Sequence, residues 1–212
     1  MKPYRIRRMR HTATLLAGLL LGGWSATAQS TDAPTPRPWY VPDHAVLQTG
    51  GGIGMLTTGA GYSPSRHPHR FDADVLVGYV PARYTGHRAF AIFTAKATYS
   101  PFSVQLAERW RLLPLSVGGL VNYTPAAQIN RNSADKYGYR GYYWWTTTLR
   151  AGAFLGSRVA LSLPRATGGK REVSLYYELG TNDLYLVSYL PNRSGLSLGQ
   201  ILTLGVGAKV DL

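Results

Sequence analysis

From residue 45 onward, apolar residues recur at every second position, in runs of about ten separated by turn-like clusters. A period of two is the signature of a strand with two unlike faces, and it excludes most helical folds. Over 71–80 one face reads Phe71, Ala73, Val75, Val77, Tyr79; the other reads Asp72, Asp74, Leu76, Gly78, Val80. Similar alternation runs through 89–99, 115–124, 142–155, 172–180 and 201–212. In the last run Leu202, Leu204, Val206, Ala208, Val210 and Leu212 oppose Thr203, Gly205, Gly207, Lys209 and Asp211. Pro81, Pro101, Pro114, Pro125, Pro164 and Pro191 fall at the ends of runs, where a residue with no N–H belongs. A Gly-rich segment, 46–62, reads as one further strand and 184–190 as a short one. The sequence thus predicts an all-β fold of about eight antiparallel strands, an up-and-down barrel. In that count the longest connection, 125–140, follows the fourth strand and falls on the short-turn side with the termini, so either the Gly-rich segment is two strands or the barrel breaks the rule that long loops lie opposite the termini.

The first 28 residues read as a secretory signal. Five basic residues (Lys2, Arg5, Arg7, Arg8, Arg10) precede an apolar run over 13–24, and Ala26-Thr27-Ala28 offers a cleavage site before Gln29. The run falls short of the roughly 20 residues a spanning helix needs. Residues 29–44, rich in Pro and Thr, read as a disordered leader, leaving 45–212 as the barrel. Removing 1–28 takes away five basic and no acidic residues, so the formal charge of +13 becomes +8. The remaining basic residues are scattered between strands. They form no stripe interleaved with aromatics, which argues against nucleic acid. The chain has no cysteine, so disulfides and thiolate metal sites are excluded.

Alternation alone fits a soluble barrel as well as a membrane one. Three features favour the membrane. The apolar faces carry no charge along their length. The opposite faces, mostly Gly, Ser and Thr, are too poor in charge for a water-facing exterior. Aromatic residues, Tyr79, Tyr99, Tyr123, Tyr143 and Trp145 among them, sit near the ends of apolar faces, as in an interfacial girdle. The reading is therefore a transmembrane β-barrel with a filled lumen.

An export signal, about eight alternating strands and a C-terminal strand ending Gly207-x-x-Val210-x-Leu212 resemble the small bacterial outer-membrane β-barrels. Leu212 departs from that pattern, in which the last residue is usually aromatic. The Gly141-Tyr142-Tyr143-Trp144-Trp145 run and the run from Tyr177 to Tyr185 also look like uncharacterised barrels of this kind. The resemblance implies an outer-membrane location, contact with membrane lipid and lipopolysaccharide, and engagement of barrel-insertion machinery by the C-terminal strand. It implies a monomer with a structural, adhesive or envelope-interaction role carried by loops at 100–114, 125–140, 158–170 and 190–199.

The lumen face carries Asp72, Asp74, Lys96, Arg150, Glu172, Glu178, Lys209 and Asp211. Buried charge must be paired, so ion pairs are expected. A connection centred near residue 164 would pair Arg150 with Glu178. One centred near 85 brings Lys96 to Asp72 and Asp74. An eight-stranded barrel is just wide enough for its own side chains, so these pairs plug the lumen rather than line a channel. Barrels resembling lipid A deacylases carry His-x-Ser on the penultimate strand. Here the matching stretch, Leu186-Val187-Ser188, has Ser188 but no histidine to activate it. His67-x-His69 lies in a turn without a third ligand. Gly50 to Gly54 lacks the Lys-Ser/Thr of a phosphate loop and suits a bend or close packing. No metal or cofactor is expected. A lipid A-modifying enzyme, or a secreted soluble barrel with an apolar, ligand-binding interior, is the alternative to a non-enzymatic membrane protein.

Overall fold

The structure is a computed structural model and describes residues 38–65, 70–85, 88–125, 148–165 and 169–212. Its strands are β1 (His44–Gly50), β2 (Leu56–Ser65), β3 (Arg70–Val80), β4 (Phe90–Ser100), β5 (Val104–Ala107), β6 (Trp110–Tyr123), β7 (Leu149–Pro164), β8 (Lys170–Asn182) and β9 (Thr203–Asp211). Among the described residues three short helices lie between strands: α1 (Ala82–Thr85), α2 (Asp183–Tyr189) and α3 (Leu198–Ile201). All pairings are antiparallel. Sheet order is β4-β3-β2-β1-β9-β8-β7-β6-β5, and β4 also pairs with β6. That last pairing closes a ring of eight strands. β5 is the extra one: Val104 pairs with Leu112 while Tyr99 of β4 pairs with Val117, so β5 prolongs the β4 side of β6 past Pro101.

The expected loops 100–114 and 158–170 instead hold β5 with the start of β6 and the end of β7, and two elements of the strand count differ from the sequence expectation. The Gly-rich segment 46–62 is two strands, β1 and β2, joined by a turn at 51–55. Residues 184–190 are not a strand; most of them form α2. Asn182 caps that helix, its side chain accepting the Tyr185 N–H at 3.0 Å. The count of eight barrel strands survives because the two errors cancel, but every strand between them changes direction. β1, β3, β6 and β8 therefore end away from the termini, at the far end, and β2, β4 and β7 end at the terminal end. The longest interval between consecutive strands, from β6 to β7, starts and finishes at the far end.

Strand tilt follows from the register. Followed rung by rung from Val173 through Val210, Ala45, Ala60, Val75, Ala95, Val121 and Ala151, the ladder returns to β8 level with Asp183, one rung past Gly152–Asn182. An offset of ten residues over eight strands, 173 to 183, tilts the strands by roughly 40°.

The two faces divide as the alternation requires, with the apolar one outside. On β3, Val75 is 70% exposed and its neighbour Leu76 is 0%. Asp72 and Asp74 point inward and are buried. On the outer face of the described strands the one charged side chain is Arg171, at the terminal rim. Tyr62, Phe71 and Tyr99 mark the terminal end of this face on β2, β3 and β4; Tyr79, Phe93 and Tyr123 mark its far end on β3, β4 and β6. Tyr143 and Trp145 lie outside the described residues. Pro114 sits inside β6 rather than at its end. The register shifts between Leu113 and Ser116, so Pro114 occupies a bulge where no ladder N–H is needed. The bulge also swaps parity, turning Arg111 and Leu113 inward ahead of it.

At the far end the β1–β2 turn folds into the lumen. Gly50, Gly51, Gly52 and Gly54 all have positive φ, which an L side chain resists. This backbone buries Ile53 completely, in a cluster with Val46, Leu76 and Tyr176. Gly78 faces the Ile53 carbonyl so closely that an added Cβ would collide with it. Gly78→Ala should destabilise the barrel by about 1–3 kcal/mol through overpacking. Gly199→Ala, where nothing lies within 4 Å, should leave stability nearly unchanged. Urea unfolding of both variants in detergent checks this.

Candidate functional site

The lumen holds the charges, in three levels. Nearest the terminal end, Asp72 gathers four donors. Arg70 Nε reaches Oδ1 at 2.9 Å and Ser63 Oγ reaches it at 2.6 Å. Arg158 Nη2 reaches Oδ2 at 2.6 Å and Lys209 Nζ at 3.0 Å. Lys209 also bonds Asp74 Oδ2 at 2.8 Å. Glu172 bridges two arginines, accepting from Arg70 Nη1 at 2.7 Å and from Arg111 Nη2. Asp211 stands at the rim, 4.0 Å from Arg70, and accepts the Glu172 backbone N–H at 3.3 Å. Three strands that are not neighbours, β3, β7 and β9, thus meet on one carboxylate.

At mid-height Lys96 is the centre. Its Nζ bonds Glu178 Oε1 at 2.8 Å and Gln48 Oε1 at 2.9 Å. It lies 5.3 Å from the Phe154 ring centroid and 5.0 Å from that of Tyr176. Tyr176 donates its hydroxyl to Gln48 Oε1 at 2.8 Å. A fully buried ammonium is tolerable here because a carboxylate, an amide oxygen and two ring faces surround it. Toward the far end, Arg150 Nη1 lies 3.5 Å from Asp183 in the first turn of α2. Thr94 bonds Asn122 at 2.8 Å, and Asn122 donates to the Gly52 carbonyl at 3.2 Å. The cavity at this level, bounded by Gly52, Asn122, Phe154, Glu178 and Thr203, holds about 10 Å³, room for about one water. Side chains fill the lumen.

Asp72, Asp74, Lys96, Arg150, Glu178, Lys209 and Asp211 therefore all belong to ion pairs or hydrogen bonds of the interior, but not always with the expected partner. The structure corrects the Arg150–Glu178 pair. Gly156 is the register partner of Glu178, so β7 and β8 turn around residue 167 rather than 164, and Arg150 lies past the last rung. Lys96 is the register partner of Asp74, as the turn near 85 requires. Its ammonium nonetheless reaches Glu178, because Lys209 and His44 already occupy Asp74.

Ser63, His44 and Asp74 form a chain that sequence reading did not anticipate. His44 Nε2 lies 2.6 Å from Asp74 Oδ1, and Nδ1 lies 3.2 Å from Ser63 Oγ. The residue types are those of a nucleophile, base and orienting acid. The geometry does not serve that chemistry. His44 is 0% exposed, and Ser63 donates its proton to Asp72 rather than to the imidazole. No cavity among those described adjoins it. Ser188 lies on α2, in the β8–β9 connection, so it is not on the penultimate strand, which is β8. His67, His69 and His87 lie outside the described residues. Among the described residues no group of three His, Cys, Asp or Glu could hold a metal.

Comparison with protein families, curated proteins and solved structures finds no match. What the chain shares with other barrels rests on its geometry alone.

Leaving Glu178 buried without its cation should cost about 3–5 kcal/mol. Lys96→Met and Glu178→Gln should each destabilise strongly, and the double variant much less than their sum. Arg150→Ala should add independently to Glu178→Gln. Urea unfolding midpoints of the three single and two double variants decide both statements; coupling of Glu178 to Arg150 instead would contradict the observed register.

Proposed function

We propose that this chain is an integral outer-membrane β-barrel protein without enzymatic activity, acting structurally or adhesively through its far-end loops. The observation that carries this reading is the inverted polarity of the closed barrel. Its outer face is apolar and, Arg171 apart, uncharged; its charges lie inside. A protein in water has no reason to expose Leu175, Val75, Leu204 and Leu155 around a whole circumference while burying Lys209, Lys96 and Asp72. In a bilayer the arrangement is required: the closed ladder satisfies every strand and the apolar band faces acyl chains. Aromatic residues on β2, β3, β4 and β6 bound that band on one side of the barrel, at the levels where girdles sit.

The longest connections lie at the far end, as expected when both termini face the periplasm. Export by the N-terminal segment, contact with lipid and lipopolysaccharide, and recognition of β9 by insertion machinery complete the proposal. β9 pairs with β1 at the seam, so the C-terminal strand is the one that closes the ring. Two features weigh against an acyl-transferring or hydrolytic role: Ser188 stands on a helix without a base, and Ser63 is sealed. The polar, filled lumen weighs against a soluble barrel with an apolar ligand inside.

Val75→Arg tests the proposal directly. In a bilayer an arginine at mid-height of the outer face should cost about 2–4 kcal/mol. In water, replacing an exposed valine should change stability by no more than about 0.5 kcal/mol. Folding of both proteins into lipid vesicles, and their mobility on detergent gels with and without boiling, gives the readout. A wild-type protein found in the soluble fraction, with no shift on boiling and no penalty for Val75→Arg, would sink the membrane reading.

A further inference from the structure

At the terminal end β5, β6, β7 and the start of β8 run on past the closed ring, leaving a concave half-wall below the lumen. Its inner side, the side that continues the lumen face, holds a cavity of about 460 Å³ lined by Glu108, Arg109, Ser162, Pro164, Gly169 and Lys170. The Ser162 N–H donates to the Arg109 carbonyl at 2.8 Å, which staples the β5–β6 turn to β7 and fixes this wall. Ser162 is also the register partner of Glu172, one step from the ion pairs of the lumen.

The cations here differ from those above them. Arg70, Arg111, Arg158, Lys96 and Lys209 each hold a carboxylate. Arg109 and Lys170 hold none among the described residues, although Glu108 lines the same cavity. Arg165 and Arg171 stand beside it in the chain. A guanidinium fork, an ammonium and a hydroxyl around one concavity suit a tetrahedral dianion better than a carboxylate, because they supply several N–H and O–H donors in more than one plane. The volume lies in the range of small-molecule sites and exceeds a lone phosphate, leaving room for an attached organic group.

We infer that this terminal-end cavity is a binding site for phosphate-bearing small molecules, with Arg109 and Lys170 holding the phosphate and Ser162 donating to it. Its place on the lumen side of the wall, away from the apolar outer face, favours a solute from the aqueous compartment over a lipid headgroup. The site needs only the barrel, so it stands or falls separately from the membrane reading.

The test uses the mature protein folded in a zwitterionic detergent lacking phosphate. Phosphate and a phosphate monoester are titrated calorimetrically at constant ionic strength, with chloride as the control anion. Vesicles with and without an anionic phospholipid form the second arm. Arg109→Gln with Lys170→Gln should weaken binding by about tenfold or more, the loss of charge-assisted hydrogen bonds. Arg193→Gln, at the far end, should leave it unchanged. Heat-dependent gel mobility confirms that each variant is folded, and Ser162→Ala offers a milder change with a smaller loss. Variant-sensitive binding of the soluble phosphates supports the site with a solute as its source; variant-sensitive binding confined to anionic vesicles supports it with a headgroup as its source. Binding unaffected by the double variant, binding matched by chloride, or no binding in either arm overturns it.

Discussion

Everything inside this barrel depends on the neutralisation of Asp72. Eight strands at this tilt enclose a space only side chains wide, and Asp72 is buried within it. A carboxylate there costs several kcal/mol unless donors replace its hydration. Four do so, from β2, β3, β7 and β9. Through Arg158 and Lys209 the contact is thus a cross-brace from β3 to β7 and β9, strands that the backbone ladder does not join to it. Removing one donor would leave the buried carboxylate under-compensated. The same logic, with Lys96 as the buried ion, governs the level above.

The polarity of the wall is the counterpart of this filling. Because the interior consumes the charged side chains, the outer face is left with Leu, Val, Ala, Phe and Tyr. Glycines serve where two backbones must come within touching distance, as at Gly78 against Ile53. The turn that carries Ile53 closes the far end from within, so the lumen is stoppered by backbone at one end and by ion pairs at the other.

Much of this was legible in the sequence, and the failures have physical causes. Parity was readable because a slip of one residue would turn Asp72 and Asp74 outward; the alternation on β3, β4, β8 and β9 stands as read. The segment 46–62 leaves one strand or two open in the sequence, because four glycines with positive φ make a turn without the polar residues that normally mark one; loop parity favours two, and two are found. Residues 184–190 mimicked a strand because Leu184, Leu186 and Leu190 share a parity; the Asn182-Asp183 cap was the signal for a helix. The register of β3 and β4 followed from a central turn, but the partner of Lys96 did not, since a long side chain crosses the lumen to whichever carboxylate remains free. Arg158 was missed because β7 was ended at Leu155, nine residues before its last rung. Ser63 and His44 escape a reading of 46–62 as one strand, because it is the β1–β2 hairpin, with β3 beside it, that brings them to Asp74.

The pairing of β1 with β9 gives Lys209 a special place in time. β9 follows the other eight strands in the chain, and the Lys209 ammonium serves both Asp72 and Asp74, which before it docks have only the partners supplied by those strands. Docked one residue out of step, β9 would present Lys209 to the outer face and Val210 to the two carboxylates. The final strand therefore carries its own proofreading: a charge that fits the lock in one alignment and is expelled from it in the next.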